Sequence, residues 1–424
     1  MTVETLLGLL FGLLIVLLAL FTNVGRLKAA GYRDGITAAI VLPLTLWVSL
    51  AAFKATNLEL LREADAAKHR RLMTENSRLL EAGDFVTPLS DCVPGNRGFR
   101  FLGGVWLYAS GLPHWTIRLL STVLGFSAAV QAFVYAATVG SGPPPKLRDL
   151  TLFVLFPSLP FWCTEFLKEG FTLWGGCAML TLATDLRKSS LRFGHGAMRV
   201  EAVVAVALLL WLRPHFAICW MGGFAIAKPL VNRKFGQAVV YGGLMVSCFV
   251  LLSITTPEFM EKMTSDGVTD TMNSAYEKNS NLGGSAIGGG PPIPFVSGVF
   301  NVFLSPFLTI TQGLSGLLCA AESILLCLVC GPACLRLIRR KAPGCTTTQM
   351  SVLAGLAVLM LYFGYLYNVG LIVRQRVFIV PSLLAAAMVV RKMAAPLPAG
   401  PMKTDAEIGP LTWTARQGRP SQYA

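Results

Sequence analysis

Eleven apolar runs of near-membrane length follow one another along this chain, at about 4–22, 36–53, 116–140, 150–163, 170–186, 200–212, 215–231, 237–254, 315–335, 350–367 and 377–390. A bilayer core is about 30 Å thick and takes roughly 20 apolar residues in helix. Helix is favoured there because it satisfies every backbone N–H and C=O within the segment. Water-soluble domains do not offer such runs in series. The 424 residues are 54% hydrophobic and 14% charged, against about 25% charged in an ordinary soluble domain. A soluble globule, a disordered chain and a fibrous repeat are excluded. The expected fold is all-α: a polytopic integral membrane protein with about eleven transmembrane helices and two long extracytoplasmic loops. The fourth and sixth runs are short. Only Arg213-Pro214 separates the sixth from the seventh, which makes them a tight hairpin or one kinked span.

The 36 Lys+Arg against 22 Asp+Glu leave a surplus of +14. On a soluble protein that surplus would suggest nucleic acid. In a membrane protein Lys and Arg collect in cytoplasmic loops. With the N-terminus outside, the inner segments are 23–35, 141–149, 185–201, 228–236, 336–349 and the tail from 391. They hold 21 Lys/Arg and 6 Asp/Glu, whereas the outer segments hold 14 and 15. The surplus therefore lies on one side, and nucleic acid drops out as a partner. The expected location is the cytoplasmic (inner) membrane, multi-pass, with the C-terminus inside. Glu4 stands where a signal peptide would be basic, so the first run reads as a retained span.

The runs and loops divide the chain into two N-terminal spans (1–53), a first outer loop (54–115), a six-span core (116–254), a second outer loop (255–314), three C-terminal spans (315–392) and a tail (393–424). In the first loop, Leu58 to Leu80 has helical periodicity, with Arg71 and Glu75 spaced i,i+4. Phe99 to Gly111 reads as a surface or re-entrant helix. In the second loop, Asn281-Leu-Gly-Gly-Ser-Ala-Ile-Gly-Gly-Gly-Pro-Pro needs something to order it, and a lid over an outward-facing site is one reading. The tail is rich in Pro, Gly and Ala and reads as disordered. Cys327, Cys330 and Cys334 stand near the inner end of one span and read as small packing residues.

Ionisable groups at membrane depth are costly and mark function by default. Glu165, Lys168 and Glu169 share a tight outward turn. Arg213 and His215 flank a proline between two runs. Asn368, Arg374 and Arg376 stand on the side where cations are disfavoured. Phosphate answers that pattern, because guanidinium grips it as a fork. Within the apolar runs only Arg118 and Glu322 are charged at depth. Asp65 and His69 sit i,i+4 on one helical face, a spacing that suits a general base acting on a sugar hydroxyl; Glu59, Asp84 and Asp91 compete for that role. No P-loop, HExxH or G-x-S-x-G is present, which argues against an ATP-driven pump or a serine hydrolase.

Taken in order, these features resemble a known group. An acidic residue lies near the start of the first outer loop (Ala64-Asp65-Ala-Ala-Lys-His69). A surface helix runs into Leu107-Tyr-Ala-Ser-Gly-Leu-Pro-His-Trp-Thr-Ile-Arg118. Then come Phe156-Pro-Ser-Leu-Pro-Phe-Trp162, Lys168-Glu-Gly170, Arg213-Pro214 and Arg374-Gln-Arg376. Over roughly residues 59–392 the pattern is similar to the GT-C-type multi-spanning glycosyltransferases and to membrane proteins of bacterial exopolysaccharide and O-antigen clusters. The resemblance implies a glycosyl donor carried on polyprenyl phosphate, a lipid bilayer around the protein, and other polysaccharide assembly proteins as partners. Asp65, with His69, would be the catalytic base. Lys168, Glu169, Arg213, His215, Arg374 and Arg376 would form the phosphate-binding set. No cofactor is required, although outer-loop carboxylates could hold a divalent metal. A repeat-unit polymerase and a lipid-linked saccharide transporter or flippase share many of these features.

Overall fold

The computed structural model describes residues 2–56, 64–139, 142–183, 194–214, 216–218, 220, 222, 294–304, 313–339, 347–363 and 369–393. All regular structure among them is helical. Helices α1 (Val3–Ala29), α2 (Ile36–Thr56) and α6 (Trp115–Thr138) are long and apolar enough to cross a membrane. Most of the run at 215–231, the run at 237–254, the glycine-rich segment 281–292 and the tail after Met393 lie outside the described residues, and so do His215 and Asn368.

Helix α6 is the hub. Of its most apolar stretch 83% is buried, against 33% for α2 and 17% for α1. It packs against α1, α2, α7 (Leu150–Val154), α8 (Ser158–Cys163), α9 (Glu169–Ala183) and α15 (Val380–Met393). Its small and β-branched residues allow this, with Ala128, Ala129, Ala132 and Ala136 all solvent-free. On α1, by contrast, Leu10, Leu14, Leu18 and Phe21 are each more than half exposed. A stripe of that kind suits hydrocarbon and not water.

The fourth apolar run does not form one helix. It breaks at Leu155–Pro157 into α7 and α8, of 5 and 6 residues, and neither is long enough to cross. Pro157 has no N–H to donate and disfavours helical backbone at Phe156, so the run ends and restarts there. The freed polar groups find partners: Trp47 Nε1 donates to Val154 O at 2.7 Å, and Ser158 N donates to Glu322 Oε1 at 2.7 Å. Helix α10 (Gly194–Leu212) begins before the apolar run at 200–212. It stops at Arg213, and the amides of Phe216 and Ala217 turn back to the Arg213 carbonyl at 3.0 and 3.3 Å.

In the first loop, α3 (Ala64–Glu81), the short α4 (Val86–Leu89) and α5 (Asn96–Ser110) form a compact cover. Asp84 Oδ1 accepts the Val86 and Thr87 amides, both at 3.1 Å, and so starts α4. Helix α3 lies close on α5 because α5 carries Gly103 and Gly104 there. A Cβ on Gly104 would sit 2.6 Å from the Cβ of Asn76. In the C-terminal part, α11 (Pro294–Phe303), α12 (Gly313–Ile338), α13 (Thr347–Phe363) and α14 (Val369–Arg376) precede α15.

The helix ends sort into two groups. Near one end of the bundle, Gly8 meets Pro113 and Trp115, Lys54 meets Glu165, and Lys168 meets Leu212. At the opposite end, Arg26 pairs with Glu201, Tyr32 Oη donates to Pro145 O at 2.6 Å, and Lys392 Nζ donates to Ala137 O at 2.7 Å.

Candidate functional site

Two turns and a helix meet at the first of these ends. The first is the turn 164–168 between α8 and α9. It sits flush on α6 because Gly170 follows in the first turn of α9, where a Cβ would lie 1.9 Å from the backbone oxygen of Ser121. Ser121 Oγ donates to Leu167 O at 3.3 Å across the same contact. The second turn is Arg213-Pro214 at the end of α10. The third element is α14, which carries Arg374.

Glu169 is the centre. It is fully buried, and its Oε1 accepts from Arg374 Nε at 2.7 Å and from Arg213 Nη2 at 3.3 Å. Its Oε2 has no hydrogen-bond partner among the described residues. Lys168 Nζ donates to Leu212 O at 3.1 Å, a carbonyl left over at the end of α10. Three cations thus surround one carboxylate. Burial pushes the Lys168 ammonium well below its ordinary value; Arg213, Arg374 and Arg100 add to the fall and Glu169 opposes it. Aromatic faces back the guanidiniums: Arg213 lies 5.1 Å from the Phe378 ring centre and Arg374 lies 6.0 Å from that of Trp162. Lys168, Glu169, Arg213 and Arg374, expected from the sequence as one set, are thus brought together.

Arg376 is not in this group. Its guanidinium donates to Glu322 Oε2 at 2.5 Å, Ser323 Oγ at 2.7 Å and Val302 O at 3.2 Å. Glu322 uses its other oxygen for the amide of Ser158. This is a charge-balanced junction tying α8, α11, α12 and α14 together, and it takes up both Arg376 and the in-span acid Glu322.

His69 is buried on α3, edge-on to Phe99 at 5.4 Å, and its Nδ1 accepts from Arg100 Nε at 3.3 Å. That contact and the Phe99 ring join α3 to α5 through His69. Asp65 lies in the first turn of α3; its side chain is outside the described residues.

Lys54 was not visible as a site residue in the sequence. It is buried at the end of α2, 2.5 Å from Glu165 Oε1, with Nζ donating to Phe161 O at 2.6 Å. The available signal was a lysine close to the polar end of an apolar run. Arg70 and Arg100, on α3 and α5, also reach this end of the bundle. Among the described residues no group of three or more His, Cys, Asp or Glu could hold a metal ion.

No family model, no curated protein and no solved structure matches the chain. The functional argument therefore rests on the side chains and their surroundings.

Proposed function

We propose that the protein is a multi-pass enzyme of the cytoplasmic membrane that moves a glycosyl unit from a polyprenyl-phosphate carrier to an acceptor on the outer face. The observation that carries this reading is the buried cluster of Lys168, Arg213 and Arg374 around Glu169, with more positive than negative charge. It stands at the end of the bundle that the charge distribution assigns to the outside. The apolar helix faces beside it suit a lipid tail.

In the reaction, an acceptor hydroxyl attacks the anomeric carbon. The bond from that carbon to the phosphate oxygen breaks, and its electron pair stays on the phosphate. The three cations then stabilise the charge that develops on the leaving group. The hydroxyl proton passes to a carboxylate: Asp65 of α3 remains a candidate, and Glu169 Oε2 joins it because no hydrogen bond occupies it among the described residues.

A repeat-unit polymerase is the second reading. The surplus of cations over carboxylates favours it, because such a site serves the leaving group more than the base. The test is reconstitution of the full chain in vesicles with a radiolabelled polyprenyl-phosphate sugar, comparing wild type with Arg374→Ala and Glu169→Gln. Label passing to a new acceptor, lost in Arg374→Ala, supports transfer. A ladder of whole repeat units supports the polymerase. Label that crosses the bilayer still on its carrier supports a flippase and overturns both.

A further inference from the structure

Arg118 lies in the first turn of α6 and is only 4% exposed. Neither its Nε nor its Nη1 has a hydrogen-bond partner among the described residues. A buried guanidinium with idle donors is expensive, since desolvation removes water and nothing replaces it. The acid that acts on it is Glu165, also buried, in the turn 164–168. That turn is pinned to α6 on both sides of Glu165: Thr122 Oγ1 donates to Cys163 O at 3.5 Å and Ser121 Oγ to Leu167 O at 3.3 Å. Arg118 stands one helical turn before Ser121 and Thr122, so the Glu165 side chain hangs near it from a fixed base.

In the structure the Glu165 carboxylate is engaged elsewhere, 2.5 Å from Lys54 Nζ at the end of α2. Lys54 does not depend on it alone. Its Nζ also donates to Phe161 O at 2.6 Å and lies 3.9 Å from the Phe161 ring centre. A lysine that gives up the carboxylate thus keeps a carbonyl and a π face. An arginine that receives it gains charge-assisted bonds for its idle donors. The loss is cushioned and the gain is large, so two positions of one carboxylate come into balance. They differ in what they join. On Lys54 the carboxylate ties the turn to α2, and on Arg118 it ties the turn to α6 alone.

We propose that Glu165 is a latch that exchanges between Lys54 and Arg118, and that it fastens α2 to the turn carrying Lys168 and Glu169 only in the first position. Arg118 is where the charge rests when the latch is open. The exchange moves a side chain and breaks no covalent bond. It does not depend on what the Lys168–Arg213–Arg374 cluster binds.

The test follows thermal unfolding of the full chain in detergent as wild type, Lys54→Met, Arg118→Met and the double variant. Lys54→Met should unfold only slightly earlier, because Arg118 receives the carboxylate. Arg118→Met should unfold no earlier than wild type, because the latch stays closed on Lys54. The double variant leaves Glu165 buried without a cation, and its fall should exceed the sum of the two single changes. Using Arg118→Lys in the double variant keeps a cation for Glu165 and should remove most of that excess. In a Glu165→Gln background the Lys54→Met and Arg118→Met changes should simply add, since no charge is left to hand over. Amides in the last turn of α2 should exchange hydrogen more slowly in Arg118→Met than in wild type, because the latch no longer opens. Additive changes with Glu165 present, a single variant that falls as far as the double, an excess that persists in the Glu165→Gln background, or α2 exchange that is not slowed in Arg118→Met overturns the latch.

Discussion

Arg374 and Arg376 stand two residues apart on α14, yet their surroundings differ in charge balance and in partners. Residues two apart on a helix point roughly 200° away from each other, so the two guanidiniums enter different layers. Arg376 meets an equal and opposite charge on Glu322 and donates to two further oxygens. Arg374 shares a single carboxylate oxygen with Arg213, and Lys168 stands beside them. The first arrangement is balanced and holds four helices together. The second keeps a positive surplus in a buried place, which suits an anion that comes and goes. A buried arginine is thus informative only through its company.

The largest effect should come from breaking the balanced junction. Arg376→Met leaves Glu322 buried without its partner and should cost about 3–5 kcal/mol, read as loss of folded protein in thermal unfolding. The double variant Glu322→Gln/Arg376→Met removes both charges, keeps an acceptor for the Ser158 amide, and should recover most of the loss. If the double variant is as unstable as the single one, the contrast between the two arginines fails.

Arg374→Ala should act on chemistry instead. Glu169 retains Arg213, so the fold should persist while glycosyl transfer falls about 10²- to 10³-fold, the loss typical of one donor to a developing anion. Equal losses of stability in the Arg374 and Arg376 variants would erase the distinction. Gly170→Ala sharpens it from a third direction. Its Cβ would meet the backbone oxygen of Ser121 at 1.9 Å, and backbone cannot step aside as a flexible side chain can. The turn bearing Lys168 and Glu169 should lift from α6 at a cost of about 1–3 kcal/mol, with anion affinity falling in step.

Smaller effects are expected on the cover. His69→Asn should cost about 1 kcal/mol and change transfer only a few-fold in the reconstituted assay. A loss of about 10²-fold or more would support His69 as a base. The smallest effect concerns pH. Partial desolvation by the protein packed around it holds His114 below its ordinary value of 6.5, and Arg70 and Arg118 push the same way. A value lower in the folded than in the unfolded state means that its stabilising contribution is complete above pH 6.5 and fades as pH falls further. His114→Asn should therefore flatten the acid limb of the unfolding temperature against pH, and an unchanged limb would remove His114 from the account.

Much of the site was legible because polar groups in an apolar chain are conspicuous. Lys168, Glu169, Arg213 and Arg374 come from turns up to 206 positions apart, yet each stood out against its apolar flanks, and the alternation of runs assigned them to one end. Their pairing was not legible. Which of Arg374 and Arg376 would meet Glu169 depends on the rotation of α14 against α9 and α12, and charge counting contains no such angle. The i,i+4 spacing of Asp65 and His69 is local and was legible, whereas the Arg100 that reaches His69 Nδ1 arrives from 31 residues away. The fourth run misled for another reason. Its apolar length suggested a span, while Pro157, in plain view, carried the physically stronger statement.

The burial of α6 has a consequence for how such a chain is built. Among the three long apolar helices α6 is the least hydrophobic, and it carries Arg118, Ser121, Thr122, Ser127 and Gln131 among its buried positions. A segment of that kind enters hydrocarbon poorly by itself. It is also the last of the three to be synthesised, after α1 and α2, which line its flank. Asn23 of α1 then reaches Ser127 at 3.0 Å, giving a polar group of the late arrival a partner in an earlier one. The greasy stripe of α1 would thus serve biogenesis as much as architecture: the helix that faces lipid most fully supplies the first wall against which the helix that tolerates lipid least can be laid.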